Sequence, residues 1–313
     1  MPDGDTDLSI GRLFHVVHVA EALAPLDAWY DDVFQPRRGI MDGGYHPVLQ
    51  RDGSLIVVGD AMLETMAPSA EPGAESGPVG RFFSRFGRHW HSIAWFSEDV
   101  GTIWDRLTER GIRMIAPSPP PDGRPTDKDI YSHPKDTLVQ LEFFQPPSDM
   151  GGPKAPGPFA DPRFEPGWAE AWAARGDPFG IEGLAYTTVV TSDAARAREI
   201  FADALEGVVL HEGSCALTGT TNSYILVGED TIVDVAVPGS GDSLAARDLA
   251  KNGSACHAVA FLVRDLDAVV DYLGEKGIAV IGRDDETVLA DPADTFGAPF
   301  RFTTWRVPGD PRG

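Results

Sequence analysis

The hydrophobic and polar positions along the chain fall into one arrangement that occurs four times. Each copy opens with a short apolar strand: LFHVVHVA near residue 13, WHSIAWF near 90, GLAYTTVV near 183 and ACHAVAFLV near 255. Each strand leads into a segment with apolar residues at helical spacing, namely PLDAWYDDVF, DVGTIWDRLTERG, DAARAREIFADALEG and DLDAVVDYLGEKG. Pro25 suits a first helical turn, and three of the four segments stop at a glycine, where helices commonly end. Turn-separated β-type stretches follow, the last closing in an apolar strand and a proline at MLETMAP, VQLEFFQP, IVDVAVP and FTTWRVP. The repeated unit is βαβββ, and four of them in two pairs predict an α+β chain whose sheets are each faced by their own helices.

Prolines and glycines crowd the stretch from Gln145 to Gly180, which reads as a linker over residues 148–179. It divides a first domain, 1–147, with units at about 12–68 and 88–146, from a second, 180–313, with units at about 180–238 and 254–308. Trp168 and Trp172, four apart on a helix-permissive piece, are expected to pin the linker to a domain surface. A length of 313 residues agrees with two domains.

Charge narrows the partners. There are 26 Lys and Arg against 48 Asp and Glu, a formal charge of -22, and such a body repels phosphate backbones and anionic lipid surfaces. A small-molecule substrate is therefore expected, with neither nucleic acid nor membrane as a partner, and a homodimer stays open. The first thirty residues hold no apolar run behind a basic stretch, and no segment approaches the roughly 18 apolar residues of a membrane span, so a cytoplasmic chain is expected. With only Cys215 and Cys256 present, any metal must be held by His, Asp and Glu.

Candidate chemistry lies in the polar residues inside apolar strands. These are His15, Glu64, His91 and Glu142, and a carboxylate amid LVQLEFF is costly to bury without a partner or a metal. His15 to Glu64 spans 49 positions and His91 to Glu142 spans 51, so two successive units each supply one His and one carboxylate, a set suited to a divalent cation. Alternation along the strand places His15 and His18 on opposite faces, which makes His15 the ligand and His18 a packing or supporting residue. His89 shares a face with His91 and competes with it, but lies outside the apolar run.

The stretches FHVVHV, LETMAP, HWHSIAWFSEDVGTIWDRLTERGIRMI and YSHPKDTLVQLEFFQP resemble the vicinal oxygen chelate superfamily, which includes glyoxalases, bleomycin-resistance proteins and extradiol dioxygenases. The first half looks most like methylmalonyl-CoA epimerase. The resemblance implies cupped mixed sheets around one divalent ion, with ligands at the positions held here by His15, Glu64, His91 and Glu142. It also implies that Glu142 doubles as a proton carrier. The second carboxylate base of the epimerases has no glutamate counterpart here, and the nearest titratable group is His46 in YHPVLQRDGSLIVV. Arg37, Arg38 and Arg51 lie near the expected pocket mouth.

Aligning the halves on their closing prolines sets Tyr186 against His15, Asp234 against Glu64, His257 against His91 and Thr304 against Glu142. The second half is thus expected to keep the fold and lose the metal, whereas in four-module extradiol dioxygenases the metal lies in the second half. The expected function is divalent-metal enolate-type proton transfer by an isomerase, epimerase or lyase on a small oxo-acid or acyl thioester, with Zn, Co, Ni or Mn as cofactor. The alternatives are a ring-cleaving dioxygenase with Fe(II), a metal-free ligand-sequestering protein of the resistance type, and a scaffold with a structural metal.

Overall fold

The structure, a computed structural model, describes residues 8–117, 125, 128–146, 153–154, 160–239 and 241–312. The expected linker lies partly outside these residues, at 148–152 and 155–159. Two eight-stranded sheets form the framework of the described residues. The first contains β1 (Ile10–Val19), β2 (Arg37–His46), β3 (Arg51–Val58), β4 (Ala61–Pro68), β5 (His89–Ser97), β6 (Met114–Ile115), β7 (Asp129–Ser132) and β8 (Gln140–Phe144). They are hydrogen-bonded in the order β2-β3-β4-β1-β5-β8-β7-β6. The second contains β9 (Ile181–Val190), β10 (Val208–Cys215), β11 (Thr220–Val227), β12 (Thr231–Pro238), β13 (Ala255–Val263), β14 (Val280–Arg283), β15 (Thr287–Ala290) and β16 (Phe300–Thr303), in the order β10-β11-β12-β9-β13-β16-β15-β14. The two orders are the same permutation, so the repeat in the sequence is a repeat in topology. Within each sheet the opening strands of successive units, β1 with β5 and β9 with β13, pair antiparallel at the centre.

The helices are α1 (Leu23–Val33), α2 (Pro78–Phe86), α3 (Val100–Glu109), a single turn α4 (Pro134–Thr137), α5 (Trp168–Ala174), α6 (Ala194–Arg198), α7 (Leu244–Asn252) and α8 (Leu266–Glu275). Aspartates start three of the four unit helices: Asp99, Asp193 and Asp265 each accept backbone N–H bonds from the first turn. Ala22 opens α1 without a side-chain cap. The segment expected as one helix after β9 begins as α6 and widens into a π-helix over Glu199–Ala204. In the segment expected as a linker, Trp172 is buried and Trp168 Nε1 donates to the Gly59 carbonyl at 2.9 Å, so the pair does pin this segment to the first sheet.

One apolar core runs through both halves. Phe34, at the end of α1, stacks among Phe179, Phe261 and Phe300, with ring centroids 5.1, 5.6 and 5.2 Å away. Polar links cross the same interface: His18 Nε2 to the Phe296 carbonyl at 3.1 Å, Trp90 Nε1 to the Pro299 carbonyl at 3.1 Å, and His89 Nε2 to Asp248 Oδ1 at 3.0 Å. His18 also meets the Tyr30 hydroxyl at 2.9 Å, so it serves packing, as its face predicted. Among the described residues no helix is long and apolar enough to cross a membrane.

Candidate active site

The first sheet curls around a cavity of about 850 Å³ walled mainly by apolar side chains, among them Phe14, Leu55, Val79, Phe82 and Phe144. His15, Glu64, His91, Glu142 and His46 all line it, and so do Ser254, Ala255 and Cys256 at the start of β13, so the second half supplies part of the wall. A register shift of β1 against β5 between Leu13 and His15 turns both Phe14 and His15 toward the cavity.

Strand pairing explains why distant residues meet on the floor. His15 stands opposite Ala94 on β5, and Ala94 stands opposite Glu142 on β8, forming one row across three strands. The small central side chain lets the outer two meet above it, with His15 Nε2 and Glu142 Oε2 3.3 Å apart. Glu64 enters from β4, where it pairs with Val17 of β1, and its Oε2 lies 3.4 Å from the same His15 nitrogen. Two ligand atoms each about 2.1 Å from one ion, and 90–110° apart around it, are roughly 3.0–3.4 Å from each other. The His15 nitrogen thus stands from each carboxylate oxygen at a distance that serves as a hydrogen bond or ion pair here and is also the spacing of two ligand atoms on one ion.

The rest of the arrangement is less complete. His91 Nδ1 bonds to Ser92 Oγ at 2.8 Å and its ring meets the Phe82 ring edge-on at 4.4 Å. Glu64 Oε1 is in an ion pair with Arg51 Nη2 at 2.6 Å. Among the described residues no group of three or more His, Cys, Asp or Glu side chains stands arranged to hold a metal ion. His89, the competitor of His91, turns to Asp248 and to the Trp90 carbonyl and takes no part in the floor.

Burial sets the protonation of the floor. It lowers His15 and His91 to about 4, His91 being pushed further by the neighbouring His15, so both imidazoles are neutral at pH 7, the form that ligates a metal. Burial raises Glu142 to about 7, against the pull of the Arg51 charge, so this carboxyl is poised to take and release a proton near neutrality. His46 sits half-buried at the end of β2, lowered by burial and by Arg51, and its Nδ1 accepts from Leu49 N at 3.2 Å in the turn.

One cavity residue escaped the sequence reading, and another lies deeper than expected. Asp129, on the four-residue β7, has one oxygen bonded by the Tyr131 hydroxyl and the other, Oδ1, buried without a partner; burial and the Glu142 charge hold its carboxyl well above the usual range. Only the alternation in DIYS could have flagged it. Arg51 is on the floor, 8% exposed, whereas its expected companion Arg38 binds Asp27 and Asp31 at the other side of β2.

The second half differs from the expected alignment at one position. In β13, Ala260 stands between Tyr186 of β9 and Arg301 of β16, as Ala94 stands between His15 and Glu142. The counterpart of Glu142 is thus Arg301, three residues before Thr304. β16 ends at Thr303, five residues before Pro308, while β8 ends two residues before Pro146, so the prolines are not equivalent landmarks.

No family profile and no curated protein matches the chain. Among solved structures, a mutant of 4-hydroxymandelate synthase from Streptomyces coelicolor matches over 95% of this chain and 94% of its own, at 14% identity and a TM-score of 0.62. A hypothetical protein from Staphylococcus aureus matches over 93% and 97%, at 12% identity and a TM-score of 0.53. Methylmalonyl-CoA epimerase from Mycobacterium tuberculosis matches over 40% of this chain and 88% of its own, at 23% identity and a TM-score of 0.37. At these identities the likeness is one of fold.

Proposed function

Since the chain is a two-domain protein of vicinal oxygen chelate fold, we propose that it is a divalent-metal-dependent enzyme that moves a proton beside a carbonyl. Its substrate would be a small oxo-acid or acyl thioester, in an isomerase, epimerase or lyase reaction. The observation that carries this reading is the approach of Glu64 Oε2 and Glu142 Oε2 to within 3.4 and 3.3 Å of His15 Nε2 on the floor of an apolar cavity. His15, Glu64 and Glu142 would hold the ion, with His91 joining through Nε2, the nitrogen its bond to Ser92 leaves available. When bound, the ion supplies a Lewis acid that polarises a substrate oxygen.

The chain's own groups do the rest. Glu142 accepts a proton at the carboxylate oxygen that does not hold the ion and returns it. Asp129 shares the floor with it, while His46 serves the rim and the β2–β3 turn, so the carboxyl is better placed than the imidazole as a second proton carrier. The apolar wall excludes water from the exchanged proton. The Arg51–Glu64 ion pair favours one second reading, a metal-free ligand-binding protein, because it neutralises Glu64 without an ion.

Elemental mass spectrometry on protein purified without a chelating tag separates the two. About one Zn, Co, Ni or Mn per chain is expected; about one Fe redirects the search to ring-cleaving substrates under oxygen. Protein that takes up no divalent ion even when supplied with it overturns the metal reading.

A further inference from the structure

Resting on the proposed site but reaching past it, we infer that Arg51 anchors a carboxylate of the substrate, and that this carboxylate is carried on a bulky apolar body.

Arg51 lies at the start of β3 and sends its guanidinium inward across Gly53 to Glu64. A Cβ at position 53 would come within 2.6 Å of Arg51 Nη1 and 3.0 Å of Glu64 Oε1, so the glycine is what lets the side chain through. Gly53 sits in ordinary strand backbone, and its role is space, not torsion. The ion pair occupies Nη2 alone. Nε and Nη1 are buried without any hydrogen-bond partner while the residue lines the cavity. A guanidinium has five N–H donors, and a buried donor left unmet is destabilising. A carboxylate is the acceptor that suits such donors in charge, meeting Nε or Nη1 singly, since these two nitrogens lie on different edges of the guanidinium.

The surroundings select the rest of the ligand. Glu64, Glu142 and Asp129 make the floor acidic, and the whole chain carries a formal charge of -22, so an anion needs a local cation to enter. Arg51 is the buried arginine of the wall, while Arg81 and Arg85 line it from exposed positions on α2. Above it the lining is mainly hydrocarbon and aromatic surface enclosing about 850 Å³, far more room than a short hydrophilic acid fills.

The test is calorimetric titration of the full chain, both metal-loaded and stripped with EDTA, using 3-phenylpropanoate, its neutral amide and acetate as probes. The propanoate is expected to bind saturably, with the amide and acetate at least tenfold weaker. Arg51→Met should weaken the propanoate at least tenfold in both preparations. Gly53→Ala should do the same by crowding the Arg51 tip most, with Glu64 Oε1 and the Thr65 carbonyl next, and the stripped preparation reads the loss apart from any change in the metal, which keeps the proposal testable if Arg51→Met fails to fold. No saturable binding by the propanoate, equal binding by the amide, or an unchanged affinity in Gly53→Ala overturns the anchor. Metal content measured on the same samples judges the metal reading separately: a wild-type chain that binds the propanoate through Arg51 but takes up no ion keeps the anchor and rejects the metalloenzyme.

Discussion

At equivalent positions the two halves carry opposite chemistry on the same scaffold. The row His15, Ala94, Glu142 of the first sheet is Tyr186, Ala260, Arg301 in the second, and Glu64 becomes Asp234. Gly53, which admits Arg51, becomes Asn222, whose amide donates to Asp234 Oδ1 at 2.6 Å. Asp234 is also met by the Thr188 hydroxyl at 2.8 Å and by Arg301 Nη1 at 3.3 Å, so nothing on that floor is left wanting. Tyr186, Tyr224 and Trp305 fill the space above it, with neighbouring centroids 5.3 and 5.1 Å apart. The pocket bordering His257 and Arg301 is about 340 Å³ against about 850 Å³ in the first half. His257 itself is held by Asp248 at 2.6 Å, where the first half sets Phe82 against His91. Satisfied polar groups rigidify a core; unsatisfied ones in a cavity are where a ligand gains most.

The sharpest way to break this contrast is to make the same change at the same position in both halves. Glu142→Gln should strip the first floor of a donor and of its proton carrier. Metal affinity, read by competition with a chelator, should fall by more than the roughly 10–100-fold that loss of a supporting partner costs. Arg301→Gln should leave metal content untouched but strand buried Asp234, costing about 3–5 kcal/mol of stability in denaturant titration. Metal loss in the Arg301 variant, or normal affinity in the Glu142 variant, would reverse the assignment of roles.

A second contrast lies one face away. His18 of β1 corresponds to Val189 of β9, and burial lowers His18 to about 4. A histidine held neutral in the fold stabilises fully above its unfolded value of 6.5, and this contribution is lost as pH falls toward 4, when only the unfolded chain takes up the proton. The loss across that window is about 3 kcal/mol for this group. His18→Val should lower stability at pH 7 by about 1–3 kcal/mol, because the Tyr30 hydroxyl and the Phe296 carbonyl lose their partner. It should also flatten the decline from pH 6.5 to 4, and an unchanged slope would remove His18 from the account.

These contrasts also show what the sequence makes visible. The order of elements could be read because apolar strands and helical spacing repeat, whereas His15, Glu64, His91 and Glu142 were brought to one site by the resemblance to the superfamily, alternation serving only to separate His15 from His18. Asp129 was not read at all and Arg51 only as a residue of the pocket mouth, since their roles depend on which strand lies beside which, and on a glycine left empty two residues along. Arg301 was missed because strand length, not the position of a later proline, sets the register.

The smallest contrast concerns how the four unit helices begin. Asp99 and Asp265 each accept two backbone N–H bonds at the start of α3 and α8, from Gly101 and Thr102 and from Asp267 and Ala268. The repeat predicts equal contributions, so Asp99→Ala and Asp265→Ala should each cost about 1 kcal/mol in denaturant titration. Ala22 holds the same position before α1, in extended backbone at φ -149° and ψ 140°, the conformation a capping residue uses, yet offers no side chain to the first turn. Ala22→Asp should therefore gain about 0.5–1 kcal/mol, since an aspartate there can accept the same orphan N–H groups and meets the positive end of the helix. A loss on that substitution would mean that α1 is anchored by what it packs against and not by its first turn. Tyr30 and Phe34, buried among the aromatic rings of the second half, would then carry the helix, and the first unit would differ from the other three in how it is held.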